Sequence, residues 1–189
     1  MTKKTGTKAP DTNSQFEQVL EMCRGLFCSK MQDYGPSWRI MRPQSLTDQI
    51  FIKAKRIRSI ETKGVALVDD DIQSELIGIV NYGIIALIQL KHGYSDTVDV
   101  DAGWAIREYD IQANAALELM KRKNHDYDEA WRGMRTMSYT DFILTKVNRT
   151  KEIESHSGRT VVSEGIDANY LDMINYAVFG LIKMKFPED

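Results

Sequence analysis

Apolar residues recur three and four positions apart through most of this chain, and the pattern predicts helices along nearly its whole length. Phe16, Val19, Leu20, Cys23, Leu26 and Phe27 form one stripe, which predicts a helix from Gln15 to about Lys30 with Ser14 as its cap. Gly35-Pro36 then breaks the chain, so Tyr34, Trp38, Arg39 and Arg42 are expected in a loop or short helical turn. Ser45, with Asp48 three positions on, suits the start of a second helix that ends near Gly64. Its stripe is Leu46, Ile50, Ala54 and Ile57, and Glu61 is the next position on that line. Asp69, Asp70 and Asp71 favour the N-terminus of a third helix running to about His92 and closing at Gly93. That helix is apolar on nearly every face, which places it at the centre of a bundle.

The pattern then repeats. The block from Lys30 to Glu61 returns as Lys123 to Glu154 at a constant offset of 93, with 15 of 32 positions identical and no gap. The shared positions include Lys30/Lys123, Asp33/Asp126, Tyr34/Tyr127, Trp38/Trp131, Arg39/Arg132, Arg42/Arg135, Thr47/Thr140, Lys53/Lys146, Arg56/Arg149 and Glu61/Glu154. Such agreement marks a duplicated unit. Ala105, Ile106, Tyr109, Ala113, Ala116, Leu117 and Met120 give the second copy its first helix, from Trp104 to Lys123. Its last helix, about Asp167 to Lys185, aligns Asn175-Tyr176 with Asn81-Tyr82 at an offset of 94, so one residue is inserted before it. The expected fold is all-α: a pseudo-symmetric bundle of two tandem three-helix repeats. Residues 1–14 read as a disordered tail, 15–93 as repeat one, 94–103 as an Asp-rich linker and 104–189 as repeat two. Repeats of this size are expected to share one core.

Composition narrows the partners. The net charge of −2 gives no broad basic surface, so duplex DNA is not the expected partner, although local Arg and Lys clusters remain. Cys23 and Cys28 lie five apart and turn to different faces of their helix, which argues against a local disulfide and for a reduced, cytoplasmic protein. The N-terminus lacks the apolar stretch of a signal peptide, and the run from Leu76 to Leu90 is too short to span a bilayer and contains Asn81 and Gln89. No membrane association is expected. His92, His125 and His156 have no ligand spacing, and no phosphate loop, serine-nucleophile elbow or zinc-helix motif occurs.

Two polar constellations can carry chemistry. The first is Tyr34, Trp38, Arg39, Arg42, Lys53 and Arg56, with Asp33 beside them, and its copy Asp126, Tyr127, Trp131, Arg132, Arg135, Lys146 and Arg149. Aromatic faces stack on bases and cations neutralise phosphate, the combination a nucleotide site needs. The same residues would also suit a structural network in which Trp and Tyr pin the loop and Arg pairs with Asp33, Asp126, Glu61 or Glu154. The second constellation is acidic: Glu61 and Glu154 on the second helices, Glu75 and Asp172 on the third. A carboxylate on a largely apolar face needs a cation, and oxygen clusters of this kind suit Mg²⁺. The carboxylates of the third helices stand at different steps in the two copies, which favours one competent site over two.

The doubled Lys-x-x-Asp-Tyr-x-x-x-Trp-Arg-x-Met-Arg block at Lys30 to Arg42 and Lys123 to Arg135, with Lys53, Arg56, Glu61 and the Asn-Tyr pair downstream, resembles the nucleotide modification associated domain 1 family. The resemblance covers nearly all of the chain after the tail and implies a link to modified nucleotides or DNA bases in bacteria or phages. Asp172 with Asn175-Tyr176 matches the family-like line, whereas repeat one has Gly78 in place of the Asp. A more distant likeness is to all-α nucleoside triphosphate pyrophosphatases of the MazG type, whose paired Glu-x-x-Glu and Glu-x-x-Asp motifs are missing here. The expected function is nucleotide binding, with Mg²⁺-assisted phosphohydrolase-like chemistry as its extension. The competing expectation is a non-enzymatic helical module for a protein or nucleic-acid partner. Monomer and homodimer are both compatible with the duplication.

Overall fold

The computed structural model describes residues 11–64, 71–162 and 164–187. The described residues form six α-helices and two short 3₁₀ turns. The helices are α1 (Thr12–Tyr34), α2 (Pro43–Lys63), α3 (Ile72–His92), α4 (Ala102–Tyr127), α5 (Thr136–Ser155) and α6 (Ile166–Lys185). The 3₁₀ turns, Ser37–Ile40 and Ala130–Gly133, carry the repeated Trp-Arg pairs.

Helix starts and stops follow local chemistry, in places earlier or later than the pattern implied. Helix α1 begins at Thr12 because Asp11, not Ser14, caps it, accepting from the Ser14 amide at 3.3 Å. Residues 11–14 therefore belong to the bundle and not to a tail; residues 1–10 lie outside the described residues. Helix α2 begins at Pro43, whose ring suits the first helical position, rather than at Ser45. Asp71 caps α3 through the Ser74 amide at 2.8 Å, while Asp69 and Asp70 lie outside the described residues. Helices α1 and α4 run on to Tyr34 and Tyr127, so Asp33, Tyr34, Asp126 and Tyr127 occupy final helical turns and not loops. The two turns then reverse by different means. Gly35 adopts φ +70°, whereas Asp128 and Glu129 adopt positive φ without being glycine. Glu129 is held there by hydrogen bonds from Thr12, Asn124 and Arg132.

Helices α3 and α6 pack against each other at the centre, with α2 on α3, α5 on α6, and α2 on α5. Helices α1 and α4 pair with one another and rest on both central helices. One apolar cluster draws on all six helices. Helix α3 is long and apolar enough to cross a membrane, but two-thirds of its apolar window is buried within the bundle. The central pair is close: a Cβ on Gly83 would come within 2.7 Å of Ile174.

Contacts between the repeats are reciprocal. Thr47 of α2 donates to Glu154 of α5 at 2.8 Å, and Thr140 of α5 donates to Glu61 of α2 at 3.0 Å. Lys151 pairs with Asp48 at 2.6 Å, and Arg58 reaches Asp141 at 3.7 Å. Each contact is its partner with the repeats exchanged, the pattern of two copies packed face to face. Glu61 and Glu154 thus end their stripes at the seam between α2 and α5.

Burial is the largest influence on both glutamates and pushes their pKa values above the ordinary carboxylate value of 4.5, against the opposing hydroxyl donors. A carboxyl raised in the folded state contributes stability that is complete below pH 4.5 and is lost as pH rises through the folded pKa. The variant Glu154→Gln keeps an acceptor for Thr47 and removes the charge. Its melting temperature should match the wild type near pH 4.5 and exceed it increasingly toward neutrality. A difference that stays constant over this range would show that Glu154 is not held in a proton-favouring site.

Candidate functional site

Repeat one holds a cleft of about 540 Å³ between α1, the first 3₁₀ turn and α3. Phe27, Met31, Trp38 and Ile85 form its apolar wall, and Tyr34 and Tyr82 stand among its lining residues. Lys30 and Lys53 are the two basic residues that line it. Its polar floor is α3, with Glu75, Gly78 and Asn81 at successive turns. Asn81 is fixed from behind: its amide nitrogen donates to the Cys23 carbonyl at 3.1 Å, and Tyr109 donates to its oxygen at 2.7 Å. Cys23 itself is buried, and burial pushes its thiol up to about 12.

In repeat two the corresponding side chains make contacts that repeat one lacks, at three aligned positions. Phe179 stacks on Trp131 with ring centres 4.4 Å apart and planes 9° from parallel; its counterpart in repeat one is Ile85, which presents no ring to Trp38. Asn124 accepts from the Trp131 indole N–H at 3.2 Å; its counterpart is Met31, and the buried Trp38 Nε1 has no hydrogen-bond partner among the described residues. Asp172 is buried and bound by both Lys146, at 2.6 Å, and Lys123; its counterpart is Gly78. Trp38 stacks, offset, on Trp104, with ring centres 6.5 Å apart. The indole ring thus lines the cleft while its N–H is buried without a partner among the described residues, where a buried polar group ordinarily has one.

The lysine of the second helix follows the carboxylate. In repeat one the acid has moved one turn along α3 to Glu75, which is buried and accepts from Lys53 at 3.1 Å and from Arg56. The Lys53 stem lies directly over Gly78: a Cβ there would meet its Cε at 2.5 Å and its Nζ at 2.9 Å. Only glycine leaves that path open. Lys30, the counterpart of Lys123, is exposed at the cleft and has no carboxylate within pairing distance among the described residues. In repeat two the counterpart of Glu75 is Asn169, and Arg149 is exposed.

The residues singled out by sequence separate into groups. Tyr34, Trp38 and Lys53 line the cleft, with Arg56 behind Glu75. Arg39 is buried and committed to Asp99 at 2.9 Å, to Gln89 and to the Gly93 carbonyl at 2.6 Å. Arg132 is bound by Glu129, Thr12 and Gln15. Neither uses the acids Asp33, Asp126, Glu61 or Glu154; both instead clamp the 3₁₀ turns. Asp33, Asp126 and Tyr127 are exposed, and Arg42 and Arg135 are exposed at the starts of α2 and α5. Arg42 lies 6.0 Å from the Tyr94 ring. The four acids named for a metal stand in separate contacts: Glu61 and Glu154 with threonines, Glu75 and Asp172 with cations. Among the described residues no three His, Cys, Asp or Glu side chains are placed to share an ion.

Lys30, Met31 and Ile85 were missed by sequence reasoning. The signal for Met31 and Ile85 lies in the repeat differences, since Met31/Asn124 and Ile85/Phe179 are changes at aligned positions. Lys30 is the first identity of the repeated block, at the end of the helix that the apolar stripe predicts.

The model of the family described as nucleotide modification associated domain 1 matches residues 30–90 and again residues 123–184. A search of curated proteins found no match, and a search of solved structures found none. The two matches cover more than half of the chain and fall on the two copies of the repeated block, and the chain therefore belongs to the nucleotide modification associated domain 1 family.

Proposed function

We propose that this chain binds a nucleotide-class ligand in the repeat-one cleft, with repeat two serving as its structural brace. The observation that carries this reading is the cleft itself, walled by Trp38, Met31 and Ile85 and carrying Lys30 and Lys53, where the aligned positions of repeat two hold Phe179 stacked on Trp131 and Asn124 bonded to its indole. An aromatic base supplies a flat ring for the slot, as Phe179 does against Trp131 in the other repeat. Lys30 and Lys53 supply positive charge at the same cleft, which suits the acidic part of a nucleotide. The cleft volume lies within the range of small-molecule sites. The family's link to nucleotide modification agrees with this ligand class.

The variant Ile85→Phe tests the slot by placing there the residue that repeat two uses. Titration calorimetry against a panel of nucleosides and nucleotides should show a ligand for the wild type and its loss in I85F, with the melting temperature unchanged or raised. Wild-type affinity in I85F, or no binding by the wild type to any member of the panel, would exclude the reading.

Repeat two should behave differently. Replacing Asp172 by Ala strands Lys146, which is largely buried, while the half-exposed Lys123 returns to water. A loss of about 1–3 kcal/mol in unfolding free energy is expected, with ligand affinity within a factor of about two. If affinity fell in proportion to stability, the division of roles between the repeats would be wrong.

A further inference from the structure

Resting on the reading above, we infer that the ligand carries a single acidic group, as a nucleoside monophosphate does, and that this group sits between Lys30 and Lys53 at the Gly78 step of α3.

Repeat two contains an internal stand-in for that group. The Asp172 carboxylate is gripped from two sides by Lys123 of α4 and Lys146 of α5, whose counterparts are Lys30 of α1 and Lys53 of α2. Gly78 removes the carboxylate from repeat one while both lysines remain. Lys30 can therefore reach the Gly78 step, as Lys123 reaches Asp172, yet it has no acid there to meet. A ligand oxyanion at this point restores the arrangement that repeat two builds from its own chain.

Lys53 is already bonded to Glu75, and its release leaves no orphan. Arg56 also donates to Glu75 and keeps that buried carboxylate paired when the Lys53 ammonium turns to the ligand. Gly78 permits the turn, because the three atoms nearest to where a side chain would stand all belong to the flexible lysine stem.

Charge and length limit the acid to one. The arginines that would otherwise extend the site are occupied: Arg39 by Asp99 and Gln89, and Arg56 by Glu75. Two lysines balance one phosphate, not the charge of a triphosphate. From Ile85, level with the ring slot, to Gly78 is seven residues of α3, roughly 10 Å along the helix axis. A sugar between ring and phosphate spans a gap of that order.

The test is titration calorimetry of the full chain with each common nucleoside, its 5′-monophosphate and its 5′-triphosphate, for the wild type and for the variants Lys30→Gln and Gly78→Asp. For the wild type, one monophosphate should bind about tenfold or more tightly than its nucleoside, since bonds to a charged group carry that much, and more tightly than its triphosphate. The surface change K30Q cannot disturb the core and should remove most of that tenfold. In G78D the introduced carboxylate draws both lysines to itself, so the gain from the phosphate should vanish while the nucleoside still binds. A triphosphate preference in the wild type overturns the single-acid inference. Unchanged monophosphate affinity in both variants overturns the position assigned to it, while leaving the nucleotide site standing. Absence of binding by any nucleoside or nucleotide removes the underlying reading and this inference with it.

Discussion

The structure turns on a buried carboxylate held by a lysine that crosses from the second helix of each repeat to the third. An acid on an apolar helix face is tolerable only with its charge matched and its oxygens bonded. Both repeats meet this demand with the same lysine, Lys53 or Lys146, but with acids one turn apart, Glu75 in one and Asp172 in the other. A shift of three residues moves the charge by roughly 4.5 Å along the axis. Its consequences differ on the two sides. With the acid at the Asp172 step, the lysine of the first helix joins the cluster and closes it. With the acid at the Glu75 step, an arginine of the second helix joins instead, and Lys30 is left over at an open cleft.

The surrounding frame keeps this difference local. The Thr-Glu contacts and the Lys151–Asp48 and Arg58–Asp141 pairs hold α2 and α5 in the same relation in both directions. The repeated Trp-Arg turns are also anchored in both copies, though by unrelated partners. Arg39 uses Asp99 of the connecting segment and Gln89, and Arg132 uses Glu129 and the start of α1. Two clamps with different components but the same outcome indicate that the arginines position the tryptophans. The chemistry at each tryptophan then depends on what faces its indole.

The bundle was legible in the sequence because three- and four-residue spacing and an ungapped repeat both report on backbone and core. The end of α3 at Gly93 and its capping Asp71 came with that pattern, since capping is local. The start of α1 was not legible. Thr12 is buried through a hydrogen bond to Glu129, a partner over a hundred residues away that no local rule could supply. The arginine partners were missed for the same reason, as Asp99 lies in a segment that reads as a plain linker. The acidic residues shared a pattern in sequence, but burial sent each to a nearby donor. The site itself was half legible. Tyr34, Trp38 and Lys53 were found as repeated residues, whereas the cleft is created by the unrepeated Met31, Gly78 and Ile85. Identity between copies records what both need to fold, and difference records where only one of them is open.

That distinction bears on why an open cleft persists in a chain that carries the means to fill it. An unpartnered buried indole N–H costs about 1–3 kcal/mol, and Trp38 lacks the close ring stack that Phe179 provides in the other copy. Placing the residue types of Asn124, Asp172 and Phe179 at their counterparts takes three substitutions, of which the one at Gly78 would also displace the Lys53 stem. The duplication makes this sustainable, because repeat two and the reciprocal seam supply the packing that repeat one gives up. The two halves therefore part where Met31, Gly78 and Ile85 replace Asn124, Asp172 and Phe179, at the positions that line the repeat-one cleft.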